Sequence, residues 1–305
     1  MPLTVALEKI YKYNRLLRGN ILKKTQASTS AQGIAYVRAF ETNRPPAERI
    51  CNDPYARLLI SPGFYLLGKL FAGYAERKGP GVLGFLATRC RYIDDYLLQC
   101  LETGLEQVII LGAGLDSRPY RFEHFRADVK AFEVDHPVTQ RLKLDKLKKI
   151  FGEEPSYVTY VPIDFNFESL DKLFEFGYSR QLKTLFIWEG VVHYLSAEAV
   201  DRTLEFVCKN SMPGSSIIFD YLYTSALTAT QKRGEIIRMQ RTQRYTGEGL
   251  IFGIEEGKVE EFLSARGFIQ ITNVTTEDLK RRYFTGLKQS RTIAPIYAIV
   301  SAVVP

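Results

Sequence analysis

Apolar and polar positions follow two rhythms along this chain, and the change falls near residue 104. Before it the spacing is helical: Leu3, Leu7, Ile10, Leu17 and Ile21 fall near one face. Ser28-Thr29-Ser30 can cap a helix over Ala31 to Glu41, Arg44-Pro45-Pro46 ends it, and Asp53-Pro54-Tyr55-Ala56 opens a short one. A glycine-rich interval at Gly79-Pro80-Gly81 precedes a helix from Phe85 to Glu102. Beyond residue 104 short apolar runs predict strands at 107–111, 129–134, 157–161, 184–188, 216–221, 267–273 and 296–303. Helical spacing predicts helices at 116–126, 137–151, 167–176, 196–209 and 255–265. Such alternation implies an α/β fold with a mostly parallel sheet covered on both faces. The last two strands lack a long crossover and suit an antiparallel pair. The interval 222–254 is long, polar and basic, and reads as a substrate-side insertion with a helix at Thr228 to Gln243. The expected division is therefore a helical extension over 1–103 and an α/β domain over 104–305.

Composition narrows the partners. The 305 residues are 46% hydrophobic and 25% charged, ordinary for a globular protein with a sizeable core. No apolar run approaches the roughly 18 residues of a membrane helix. The N-terminus lacks the apolar core and cleavage site of a signal peptide. Cys51, Cys90, Cys100 and Cys208 are scattered without a C-x-x-C pair, which argues against zinc or a disulfide framework and fits a reducing cytoplasm. The net charge of +7 would suit an anionic partner, but the basic residues are spread over solvated helix faces. No aromatic-interleaved basic stripe suggests nucleic acid, and neither a metal nor a membrane partner is expected.

Candidate chemistry concentrates in Val108 to Arg121, VIILGAGLDSRPYR. Four apolar residues run into Gly112-Ala113-Gly114, where a buried strand hands the chain to a helix and leaves backbone N–H groups free for a ligand. Ser117 stands where a third glycine would complete a dinucleotide fingerprint. A ligand without phosphates, such as S-adenosylmethionine, needs no third glycine. A strand-to-loop turn without any ligand is the plain alternative. The second run, Val129 to Asp135, ends with Glu133 and Asp135 on the same side of a strand. An acid at that position accepts hydrogen bonds from a ribose, unless both are merely solvated strand-end carboxylates.

Four further segments follow suit: Asn52-Asp53-Pro54-Tyr55-Ala56, Arg89-Cys90-Arg91-Tyr92-Ile93-Asp94-Asp95, Ile163-Asp164-Phe165, and Trp188-Glu189-Gly190-Val191-Val192-His193-Tyr194-Leu195. With the glycine turn and Phe132 to Pro137, their order resembles the leucine carboxyl methyltransferase family, closest to its bacterial branch of S-adenosylmethionine-dependent O-methyltransferases. The resemblance runs from about Ser30 to the C-terminus. It implies a Rossmann-like class I methyltransferase, with a seven-stranded mostly parallel sheet, an N-terminal helical lid and S-adenosylmethionine as cofactor. It assigns Arg89 to the methionine carboxylate, which a guanidinium fork matches well. Local pairing of Arg89 or Arg91 with Asp94 or Asp95 is the alternative. The resemblance places Gly112, Gly114 and Asp135 at the cofactor, Asp164 and Phe165 at the adenine, and Glu189 near the amino group. An isolated reading of Asp164 would be a helix cap. A carboxylate such as Glu189, directly after four apolar residues, is costly unless it binds something. Arg38 is the candidate for a basic residue on the lid, although its spacing to Asp53 departs from the family pattern.

His193 and Tyr194 are the candidates for catalysis. His193 stands where relatives carry an apolar residue; a general base is one reading and a structural histidine the favoured one. Tyr194 touches substrate or packs, Trp188 packs, and His136 decorates a strand end. The expected activity is O-methylation of a carboxylate or hydroxyl on a small molecule. An ionised carboxylate needs no base, whereas a hydroxyl generally does. The family's best-known acceptor, the C-terminal leucine carboxylate of a protein phosphatase, is not carried over. A nucleotide-cofactor oxidoreductase and an inactive binding protein on the same fold are the rivals. An RNA methyltransferase is a weaker variant, whose affinity would fall steeply with salt.

Overall fold

The computed structural model describes residues 22–78, 80–165, 167–227 and 249–305. Seven strands form one sheet: β1 (Gln107–Leu111), β2 (Lys130–Asp135), β3 (Val158–Pro162), β4 (Thr184–Trp188), β5 (Ser216–Leu222), β6 (Ile269–Thr275) and β7 (Tyr297–Val303). Their order is β3-β2-β1-β4-β5-β7-β6. The first five are parallel, and β7 runs antiparallel to both β5 and β6, as the missing crossover implied. Every residue of β1, β4 and β5 is buried, which is what a parallel sheet covered on both faces requires.

Helices surround the sheet. Among the described residues four precede it: α1 (Leu22–Thr42), α2 (Ala56–Leu59), α3 (Pro62–Lys78) and α4 (Val82–Glu102). Then come α5 (Arg118–Arg121), α6 (His124–Ala127), α7 (Pro137–Phe151), α8 (Lys172–Glu175), α9 (Ala197–Lys209), α10 (Val259–Ser264) and α11 (Thr276–Tyr283). Alternate residues of β1 enter opposite layers. Val108 and Ile110 join an apolar cluster with Ala35 of α1 and Phe85 and Ile93 of α4. Ile109 and Leu111 join the cluster that holds Leu204 and Val207 of α9. The N-terminal helices thus share a core with one face of the sheet.

Several elements differ from the sequence-based expectation. The helix expected over 116–126 is two single turns, α5 and α6, because Phe122 is extended. That over 167–176 shrinks to α8, and that over 255–265 to α10. Helix α3 lies in the stretch that reads as helical, but the sequence pattern sets no bounds for it, since three glycines lower its propensity. One of them, Gly68, has its position for Cβ 2.4 Å from the Tyr36 ring, so only glycine admits α1 so close. Helix α11 opens on a capping box between Thr275 and Asp278. The helix expected at Thr228 to Gln243 lies outside the described residues. The two ends of that interval meet, since Tyr223 and Ile254 form a parallel bridge at the carboxyl end of β5.

Candidate active site

Strand order reverses beside β1, so the loops after β1, β2, β3 and β4 diverge around a crevice at their carboxyl ends. A cavity of about 670 Å³ lies there. Its walls include Gly112 to Asp116 after β1, Asp135 and His136 after β2, Ile163 to Phe165 after β3, and Glu189 to Val191 after β4. Helix α1 supplies Ala31, Ile34 and Arg38, at helical spacing on its inner face. Of the nine residues expected at the site, Gly112, Gly114, Asp135, Asp164, Phe165, Glu189 and Tyr194 line this cavity. Arg89 and His193 do not.

Gly112 and Gly114 have positive φ, 68° and 45°. A Cβ on Gly112 would lie 2.4 Å from Val191 Cγ2, and one on Gly114 would lie 3.2 Å from Ala31 Cβ. The turn is therefore hemmed in by the β4 loop and by α1, and only bare backbone fits. The Gly114 N–H donates to Asp135 Oδ2 and the His136 N–H to Asp135 Oδ1, at 2.6 Å. Burial raises the Asp135 carboxyl, against the pull of these two N–H groups. Both oxygens are thereby held in place at the cavity wall, with lone pairs to spare. His136 caps α7 by accepting from the Val138 N–H, and its Nε2 lies 3.6 Å from Asp164 Oδ2.

Behind the β1 and β4 loops lies a band of ion pairs. Arg118 meets Asp94 at 2.8 Å and Glu189 Oε2 at 2.7 Å, and also pairs with Asp116. Arg89 Nε donates to Glu189 Oε1 at 3.0 Å, and its Nη1 donates to Asp220 Oδ2 at 2.6 Å. Arg38 pairs with Asp53 at 2.8 Å and donates to the Leu115 carbonyl. Burial alone would raise the Asp116 and Glu189 carboxyls. Arg118 and Arg38 together outweigh it at Asp116, and Arg118 with Arg89 at Glu189, so Asp116 is held at about 2 and Glu189 below its ordinary value. Arg91 pairs with Asp95 along α4, as the local alternative supposed, whereas Arg89 reaches across to the sheet.

Arg89 stands one layer behind the cavity. A Cβ on Gly190 would lie 3.2 Å from both Arg89 Nη atoms and from Ile34 Cδ1, so the bare glycine leaves the fork covered by backbone alone. Arg89 Nη2 and Arg118 Nη2 are buried with no hydrogen-bond partner. Buried donors of this kind are costly unless something accepts from them. His193 is 6% exposed and packs on Tyr194 with ring centroids 4.4 Å apart. Burial pushes its pKa down to about 4. Its carbonyl accepts from the Ile251 and Phe252 N–H groups, which pins the return of the 222–254 interval onto the β4 loop. Trp188 is fully buried and packs on Phe219.

Sequence reasoning missed Asp220 and the pairing of Arg118 with Asp94, Asp116 and Glu189. A signal for Asp220 was present: it is the one charged residue in the strand Ser216–Leu222. Glu133, a candidate strand-end carboxylate, is instead 1% exposed, 2.7 Å from Lys143 Nζ and 2.8 Å from the Tyr120 hydroxyl.

A sheet of this order, with a glycine turn after β1 and an acid after β2, defines a class I S-adenosylmethionine-dependent methyltransferase. The chain belongs to the leucine carboxyl methyltransferase family, whose sequence profile matches residues 31–208. It is 31% identical over 263 residues to YktD of Bacillus subtilis, spanning 84% of this chain and 81% of that protein. A Mycolicibacterium smegmatis protein is 30% identical over 271 residues, spanning 82% and 83%. Both are provisionally classed as S-adenosyl-L-methionine-dependent methyltransferases. The fold is shared with a solved structure from Thermobifida fusca, at a TM-score of 0.56 and 18% identity over 91% of this chain and 95% of that one.

The residues present fit S-adenosylmethionine. Unpartnered guanidinium donors stand near the cavity for a carboxylate, and Glu189 supplies an acceptor for an ammonium. Asp135 suits a ribose diol, and Asp164 and Phe165 suit a purine with an exocyclic amine. Among the described residues no group of three or more His, Cys, Asp or Glu could hold a metal, and no helix is long and apolar enough to cross a membrane.

Proposed function

We propose that the chain is an O-methyltransferase that esterifies a carboxylate on a small molecule. Arg89 and the β4 loop hold the amino-acid end of S-adenosylmethionine, Glu189 its ammonium, Asp135 its ribose, and Asp164 with Phe165 its adenine. Helix α1 is the lid that covers them. Bound there, S-adenosylmethionine supplies an electrophilic methyl group on sulfur. The chain's own part is to align the acceptor oxygen with it and exclude water.

The observation that carries this reading is the state of the acids and bases at the β4 end of the cavity. Among the described residues there, Glu189 and Asp116 are tied to arginines, and His193 is turned away with a pKa of about 4. None is poised to take a proton near neutral pH. A carboxylate acceptor arrives ionised and needs no base; a hydroxyl would need one. The scattered free cysteines suit a cytoplasmic setting.

The test is methyl transfer from labelled S-adenosylmethionine to a panel of carboxylic acids and alcohols. The label is expected in a product that releases methanol in mild alkali, as methyl esters do. An alkali-stable product formed from alcohols alone would turn the assignment to a hydroxyl acceptor.

A further inference from the structure

We propose that Asp220 is a positioning residue for the cofactor's amino-acid end, acting through Arg89 and Gly190. The inference rests on the assignment of Arg89 to the methionine carboxylate. Asp220 is fully buried on β5, next to β4 in the sheet. Its two oxygens do different work. Oδ2 accepts from Arg89 Nη1 and Oδ1 accepts from the Gly190 N–H, both at 2.6 Å. One rigid carboxylate thereby ties a side chain of α4 to the backbone of the β4 loop. The orientation of the guanidinium follows: with Nε on Glu189 and Nη1 on Asp220, the plane of the fork is fixed, and Nη2 is the nitrogen left without a partner. Gly190 has φ of 73°, and the place its Cβ would take lies 3.2 Å from Nη2.

Asp220 is fully buried and both of its oxygens are taken up by Arg89 and Gly190, so it acts through them. Its effect on the cofactor is indirect and confined to the amino-acid end. The ribose and adenine residues, Asp135 and Asp164, follow other strands and do not contact it. This separation makes the role testable. S-adenosylhomocysteine carries the amino-acid part, and 5′-methylthioadenosine lacks it while keeping ribose and adenine.

The experiment titrates both ligands into wild type, Asp220→Asn, Asp220→Glu, Arg89→Gln and the double variant Asp220→Asn/Arg89→Gln, by calorimetry on the full chain. Asp220→Asn keeps the shape and loses the charge. Asp220→Glu keeps the charge, but its longer arm displaces Arg89 or Gly190. Each is expected to weaken S-adenosylhomocysteine about tenfold or more and leave 5′-methylthioadenosine within about twofold, which also reports that the variant is folded. Adding Asp220→Asn to Arg89→Gln is expected to add little, because the two act as one unit. Equal weakening of both ligands in both Asp220 variants would show a general structural role and overturn the proposal. So would unchanged S-adenosylhomocysteine binding. If Arg89→Gln itself leaves S-adenosylhomocysteine unaffected, the underlying assignment of Arg89 fails. If Arg89→Gln weakens it and the Asp220 variants do not, only the role of Asp220 fails.

Discussion

His193 has its pKa pushed down to about 4 because burial removes the water that would solvate its cation, with only a minor opposing pull from Asp220. In the unfolded chain the same imidazole titrates near 6.5. Between these values the unfolded state binds a proton that the native state does not, so stability rises with pH across this window and falls away toward pH 4. His193→Gln is expected to flatten this part of the stability curve by at most about 3 kcal/mol. Its activity at pH 7 should stay within a few-fold of wild type. Urea unfolding at pH 4.5 and 7 and a rate profile check both. An activity limb near pH 6 to 7 that disappears in the variant would make His193 the base after all. The same scale explains why the arginines were hard to place from sequence. Arg89 and Asp220 are separated by 131 positions, and no local pattern joins them. Glycines and strand-end acids are legible because they serve their own turn; a guanidinium buried against distant carboxylates is not.

At the scale of elements, β2 and α7 are linked by Glu133 and Lys143, both side chains 1% exposed. Burial pushes the Glu133 carboxyl up to about 7 against the opposing pull of Lys143. Removing the lysine leaves a buried carboxylate unpaired, at a cost of about 3–5 kcal/mol where it is ionised. Protonation relieves that cost, so Lys143→Met should lower the melting temperature more at pH 8 than at pH 6. Equal losses at the two pH values would contradict this account. Strands were legible to within one or two residues; for β1, β4 and β5 the reason is that a fully buried parallel strand is a short continuous apolar run. Helices α7 and α9 were equally plain, with Pro137 and Ser196 marking their starts. Helix α3 was not, because glycine spacing that admits a neighbouring helix reads locally as a broken one. The turns α5 and α6 replace one helix because the chain is extended at Phe122, which local periodicity does not reveal.

At the scale of the whole molecule, the sheet brings four loops to one crevice, and α1 lines it with Ala31, Ile34 and Arg38. Strand order places the glycine turn beside Asp135 and Glu189; the alternating pattern implied the parallel sheet, and the family resemblance the grouping of these residues. The acceptor is less legible, since the 222–254 interval, of which Gly249 and Ile251 line the crevice, carries no motif of its own. The measurement that bears most directly on the account is calorimetric titration of S-adenosylhomocysteine into wild type and Asp135→Ala. Micromolar binding by wild type, weakened about tenfold or more by the substitution, is the expected result. Failure of the folded wild-type chain to bind, or equal binding by the two, would contradict the site described here.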